Sequence, residues 1–150
     1  MFKGKNKIRV KTICVFEHEN MLFLSKAWDS IKGDYYYRPI GGTVEFGERT
    51  EETIRREIRE ELNTEIQNLS LYTVVENIFQ CDGIDGHEIM FIYRAEFVED
   101  RFYDDKAFSI TESDGQIFKA GWEPIQDILD EKIRLVPEGL MEILRTDGKL

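Results

Sequence analysis

The sequence predicts a mixed α/β (α+β) fold, an α/β/α sandwich built on a mixed sheet with helices on both sides. Three observations carry this expectation. β-branched and aromatic runs lie both before and after one strongly amphipathic segment at 50–62. The C-terminal third ends in two further helical signals. No repeat, low-complexity tract or linker interrupts the chain. Its 150 residues are expected to form a single domain, residues 1–150, large enough to bury a core.

Taken in order, residues 8–16 and 21–25 are apolar and flank the polar His18-Glu19-Asn20, so they predict a hairpin. Trp28 then falls in an expected loop. Residues 35–40 predict a short strand leading into Gly41 and Gly42, and residues 50–62 predict a helix. Residues 71–80 and 88–97 predict two strands joined by the turn-rich stretch 81–86. Residues 116–122 predict a last strand, with Trp122 expected to pack against the terminal helices. Pro124 suits the first turn of a short helix at 124–129. Residues 137–145 predict a terminal helix with Leu140, Ile143 and Leu144 facing inward.

The helix at 50–62 carries the chemistry. At about 100° per residue, Ile54, Ile58 and Leu62 form an apolar stripe. Glu57, Glu60 and Glu61, at i, i+3 and i+4, fall on one side of it. Arg55, Arg56 and Arg59 are expected on the remaining face. Thr50 is the expected N-cap, and Asn63 stands where a left-handed C-cap residue is wanted. Three clustered carboxylates repel unless a cation sits among them, and a hard divalent ion prefers such oxygen ligands. Acid clustering alone is weak evidence, because 30 of the 150 residues are Asp or Glu.

The full spacing is sharper. The stretch 42–64 resembles the signature of the Nudix (MutT-like) hydrolase family, G-x5-E-x7-R-E-U-x-E-E-x-G-U with U a bulky aliphatic. Gly42, Glu48, Arg56, Glu57, Ile58, Glu60 and Glu61 occupy its positions. Asn63 replaces the final glycine and Thr64 the final aliphatic, which shifts the expected apolar anchor to Ile66. Neither departure touches a carboxylate.

The resemblance implies hydrolysis of a nucleoside diphosphate linked to another group, usually with Mg2+ and with Mn2+ as a substitute. It implies Glu60 and Glu61 as direct metal ligands and the Gly41 carbonyl as a third. Glu57 either binds a second metal or orients the attacking water. Arg56 and Glu48 are expected to pair and brace the loop against the helix. Relatives place a further carboxylate ahead of the last strand, which makes Glu112 the first candidate for a general base, Asp114 the second and Glu88, on an earlier strand, the third. A Nudix-fold module that binds a nucleotide without cleaving it is the alternative, although a pure binder has no need of the intact acidic triad. Diphosphate isomerisation is disfavoured by the absence of a catalytic Cys motif.

Outside the motif, Arg38 can reach a substrate phosphate. Tyr35, Tyr36 and Tyr37 alternate faces, so that Tyr37 or a neighbour can stack on a base. His87 and His18 read as structural or exposed. The net charge of −10 argues against binding a nucleic acid polymer or an anionic membrane. It also means that a phosphate substrate needs local positive charge. Cys14 and Cys81 are lone thiols with no C-x-x-C pair, read as buried core thiols of a cytoplasmic protein. The basic N-terminus lacks the apolar stretch of a signal peptide. The partner class is a small-molecule nucleotide; nothing specifies an oligomeric state, and a homodimer stays open.

Overall fold

Proline at 39 divides the chain between two sheets. The computed structural model describes residues 6–81, 83–105, 107–111 and 115–146. The first sheet has the order β5-β1-β7-β6, formed by β1 (Ile8–Val15), β5 (Ile40–Thr43), β6 (Ile66–Cys81) and β7 (Ile84–Phe97). Within it β1 and β7 run parallel, and the other pairs are antiparallel. The second sheet has β2 (Glu17–His18), β3 (Met21–Asp29), β9 (Ile117–Pro124) and β8 (Ala107–Thr111), with β4 (Asp34–Arg38) also on β3. The single strand expected at 35–40 is therefore two strands in different sheets. Pro39, which has no N–H to donate, stands at the break.

Successive residues of β1 and β3 point to opposite faces, and both faces are buried. Cys14, Phe16 and Phe23 join one core cluster with Ile54, Ile58 and Leu62 of α1 (Thr50–Leu62) and Phe102 of α2 (Arg101–Asp104). Ile13, Val15, Leu22 and Leu24 join a second with Ile125 and Ile128 of α3 (Ile125–Leu129) and Leu140 and Leu144 of α4 (Leu140–Thr146). Helices thus cover both sides of a mixed β layer, which is the α/β/α arrangement expected. Cys14 is a free, fully buried thiol, its pKa raised by burial. The side chain of Cys81 lies outside those described.

Several local expectations are corrected. Strand β3 runs on to Asp29, so Trp28 sits in a strand, paired with Tyr35. Strands β6 and β7 extend to Cys81 and Ile84, which shortens the expected loop. The helix α2 and strand β8 were not anticipated; each is only four or five residues long, too short for a periodic signal. Trp122 packs on the α1 and α2 side, not on the terminal helices, and its Nε1 donates to the Phe102 carbonyl at 2.6 Å. Phe16, Phe97, Phe102 and Phe108 stack through this core with centroid separations of 4.0, 4.4 and 4.7 Å. His18, expected to be merely exposed, lies 4.7 Å from the Tyr103 ring and 5.8 Å from that of Trp122.

The helix termini are mostly as expected. Asn63 adopts the left-handed conformation (φ 53°, ψ 47°), and its N–H donates to the Arg59 carbonyl. Thr64 is buried and its hydroxyl donates to Glu99, while Ile66 takes the apolar anchor position in the core. Thr50, however, is the first helical residue rather than the cap. Arg49 holds the cap position, and its N–H donates to Glu52 Oε1 at 3.2 Å. The Thr50 hydroxyl instead lies 2.7 Å from Tyr93 Oη, tying α1 to β7.

Because a left-handed residue with a Cβ is strained, Asn63→Gly is expected to leave stability level or slightly raised in urea denaturation. Asn63→Val, which cannot adopt the conformation cheaply, is expected to lower it by about 1–2 kcal/mol.

Candidate active site

Two glycines bring α1 against the edge strand β5. A Cβ on Gly42 would lie 2.2 Å from Glu57 Cδ, and one on Gly41 would lie 1.9 Å from the Thr12 carbonyl oxygen. Gly41 is therefore required by the neighbouring backbone of β1, and Gly42 by the carboxylate of the helix. The bare backbone at 42 is what seats Glu57 against the strand.

Arg56 gathers the rest. Its Nε and Nη2 donate to Glu48 Oε2 and Oε1 at 2.7 and 3.0 Å, a two-pronged contact. Its Nη2 also reaches the Thr43 carbonyl at 3.3 Å, and its Nη1 donates to Glu57 Oε1 at 2.9 Å and Glu60 Oε2 at 3.2 Å. One guanidinium thus joins strand, loop and helix. The expected Arg56–Glu48 pair is present, but Arg56 does not belong to a separate basic face: it lies among the acids. Arg55 and Arg59 turn elsewhere, to the Ile66 carbonyl and to Glu65. Glu48 also accepts from the Thr53 hydroxyl at 2.6 Å and the Glu45 N–H at 3.2 Å. The Arg56 hydrogen bond, helped by these donors, holds its carboxyl down at about 2. The same contact pushes the Arg56 pKa further up.

The three helix carboxylates differ in exposure. The side chain of Glu60 is 54% exposed and that of Glu57 only 16%, and Glu61 is buried. Among the described residues, no three His, Cys, Asp or Glu side chains converge closely enough to cage an ion. Arg56 Nη1 sits between Glu57 and Glu60 and supplies positive charge there. The donor set itself fits a hard divalent cation, since it is all carboxylate and carbonyl oxygen, and the notch at Gly42 already fixes Glu57 beside the β5 backbone.

Of the other residues singled out by sequence, Arg38 ends β4, opposite Ser25. Tyr37 is half-buried against the second core cluster, and its backbone exchanges hydrogen bonds with Arg134 and Val136. Tyr35 and Trp28 form an edge-to-face pair at 4.9 Å, with Lys26 Nζ 4.1 Å from the Tyr35 centroid. Glu112 and Asp114 lie outside the described residues. Glu88 is buried on β7, with its Oε2 3.9 Å from Lys11 Nζ. Lys11 was missed by the sequence reading. The available signal was a charged residue on the same strand face as the core residues Ile13 and Val15.

The family model of the NUDIX domain matches residues 6–142. Among solved structures, the chain is similar to a NUDIX hydrolase from Nitrosomonas europaea, with a TM-score of 0.62 at 18% identity, covering 95% of this chain and 91% of that one. It is similar to an ADP compounds hydrolase, with a TM-score of 0.58 at 14% identity, covering 99% and 78%. A MutT protein from Bacillus halodurans matches with a TM-score of 0.58 at 18% identity, covering 91% and 80%. At these identities the structural likenesses speak for the fold.

The two glycines are expected to fail differently when given a methyl group. Gly41→Ala meets backbone and should cost about 1–3 kcal/mol in urea denaturation. Gly42→Ala meets only the end of the flexible Glu57 side chain. It should cost less stability, yet displace that carboxylate, visible as a shift of the Glu57 side-chain resonance by NMR. Glu48 gives a pH test. Its pKa is lowered on folding, so the stabilisation it brings is complete above the ordinary value of 4.5 and is lost as pH falls from there toward about 2. Glu48→Gln is expected to lower Tm at pH 7, with the gap to wild type narrowing through that window.

Proposed function

The chain belongs to the Nudix family of hydrolases, and from that premise we propose that it cleaves a nucleoside diphosphate linked to another group in a reaction that depends on a divalent cation, Mg2+ or Mn2+. The observation that carries this reading is the Arg56 clamp, which holds Glu57 and Glu60 on one side of α1 while Glu48 anchors it to the loop. The residues that would hold the ion are Glu57, Glu60, Glu61 and the carbonyl of Gly41. When bound, the cation supplies the charge that offsets the negative charge developing on the bridging phosphate oxygen.

The chain's own groups do the rest. Glu57, set against β5 by Gly42, orients the water whose oxygen bonds to one phosphorus as the bridging P–O bond breaks. A carboxylate takes the water's proton, with Glu112 the first candidate. The products are a nucleoside monophosphate and the phosphorylated second group. Glu48 and Arg56 touch neither water nor phosphate in this scheme. Their two-pronged contact keeps the helix in register with the glycine turn, as the orienting partners of ligands do. In this reading Arg38 would contact a substrate phosphate, and Tyr37 or a neighbouring tyrosine of β4 would stack on a base. No helix among the described residues is long and apolar enough to cross a membrane.

A panel of nucleoside triphosphates, dinucleoside polyphosphates, nucleotide sugars and ADP-ribose, assayed for release of phosphate or monophosphate, tests the activity. Turnover should disappear on exhaustive chelation and return with Mg2+ or Mn2+. Glu60→Gln and Glu61→Gln should each reduce it by about 100-fold or more while circular dichroism shows a retained fold. Full activity after chelation, or tight nucleotide binding with no turnover of any compound, would overturn the proposal.

A further inference from the structure

The side of β1 that faces away from α1 carries charge where the core pattern calls for apolar residues. Arg9, Lys11, Ile13 and Val15 share that face, and Ile13 and Val15 are buried in the second core cluster. Parallel pairing with β7 sets Arg9 opposite Glu88, and antiparallel pairing with β5 sets Lys11 opposite Thr43, one residue past Gly42. The Lys11 side chain is 18% exposed and that of Glu88 8%. Their closest approach is 3.9 Å, beyond hydrogen-bond range, and neither has a hydrogen-bonding side-chain partner among the described residues. Two largely buried opposite charges that stop short of a hydrogen bond are a poor structural pair, since each loses hydration for a modest Coulombic return.

We propose that Lys11 is the anion site that grips the diphosphate of the substrate, on the strand next to the Gly41–Gly42 edge. The inference rests on the diphosphate-hydrolase reading and adds the residue that recognises the phosphates. The surroundings favour it. Burial works against the charged form of Lys11 most strongly, Glu88 counters this, Arg38 and Arg9 oppose the charge further, and Glu57 supports it. Two further cations and two carboxylates thus lie within electrostatic reach of Lys11, in a chain whose net charge is −10. An arriving phosphate offsets the repulsion of Lys11 by the two arginines and gives the ammonium the acceptor it lacks among the described residues. Glu57 is the most weakly acting of the charges that Lys11 feels, so an anion there lies within electrostatic reach of the α1 carboxylates, and one end of a diphosphate can be held while the other is attacked.

Calorimetric titration of the metal-free protein with inorganic pyrophosphate, in chelator, separates this site from the metal-dependent chemistry. Wild type should bind pyrophosphate. Lys11→Met should weaken binding by about tenfold or more, Lys11→Arg should restore most of it, and the exposed control Lys132→Met should leave it unchanged. With substrate and Mg2+, Lys11→Met should raise KM by a larger factor than it lowers kcat. If Lys11→Met does not fold, the Lys11 Hε–Cε resonance of labelled wild type should shift on adding pyrophosphate. Pyrophosphate bound equally by wild type and Lys11→Met, bound by neither, or bound without moving that resonance would overturn the proposal. Loss of binding in Lys11→Met, in a wild type that hydrolyses none of the panel, would support the anion site and sink the hydrolase reading instead.

Discussion

Everything at the candidate site depends on where the Arg56 guanidinium is held. A single planar group with five donors meets the Glu48 carboxylate with two prongs, the Thr43 carbonyl with one of these, and Glu57 and Glu60 with the third nitrogen. Lysine could not make this set of contacts, since a point charge lacks the fork that engages one carboxylate while a second edge faces others. Glu48 is more than a counter-ion: the Thr53 hydroxyl and Glu45 N–H also donate to it, so its orientation is fixed before Arg56 is counted. The consequence is a rigid junction at the start of α1, in a stretch of chain that would otherwise be a loop.

That junction explains the rest of the local architecture. With the helix pinned to the loop, its apolar stripe of Ile54, Ile58 and Leu62 enters the aromatic core. The carboxylates are then left on the side that meets β5, where only glycine leaves room for Glu57. The chain passes from one sheet to the other at Pro39, so that Arg38 at the end of β4 comes within electrostatic reach of Lys11 on β1. Charge of both signs thus gathers around Lys11, while further along β1 the two faces enter two apolar clusters.

How much of this was legible in the sequence follows from the range of each interaction. The helix and its left-handed end at Asn63 are encoded by offsets of a few residues, which helical geometry turns directly into proximity, whereas the Arg56–Glu48 pair was legible only through the resemblance to the family motif. The layered α/β/α arrangement was readable because strand runs flank an amphipathic helix. The position of Arg56 among the acids was not, because ideal angles around a helix axis ignore how a long side chain bends toward its partners. The division at Pro39, the partner of Trp122 and the pairing of Lys11 with Glu88 depend on strand registers between distant segments. Those registers are set by the packing of the whole layer, and no local pattern of residue types reports them. For Lys11 only its misplaced charge on a core-facing position was visible.

The most direct measurement is a crystal structure of the protein soaked in Mn2+, with the ion located by its anomalous scattering. The expected result is an ion held by the Glu57, Glu60 and Glu61 carboxylates and the Gly41 carbonyl, with Arg56 Nη1 withdrawn from Glu57 and Glu60 and its contact with Glu48 intact. An ion bound elsewhere, no ion at saturating Mn2+, or a site that forms only when the Arg56–Glu48 contact breaks would contradict the assignment of the clamp as the support of a cation site.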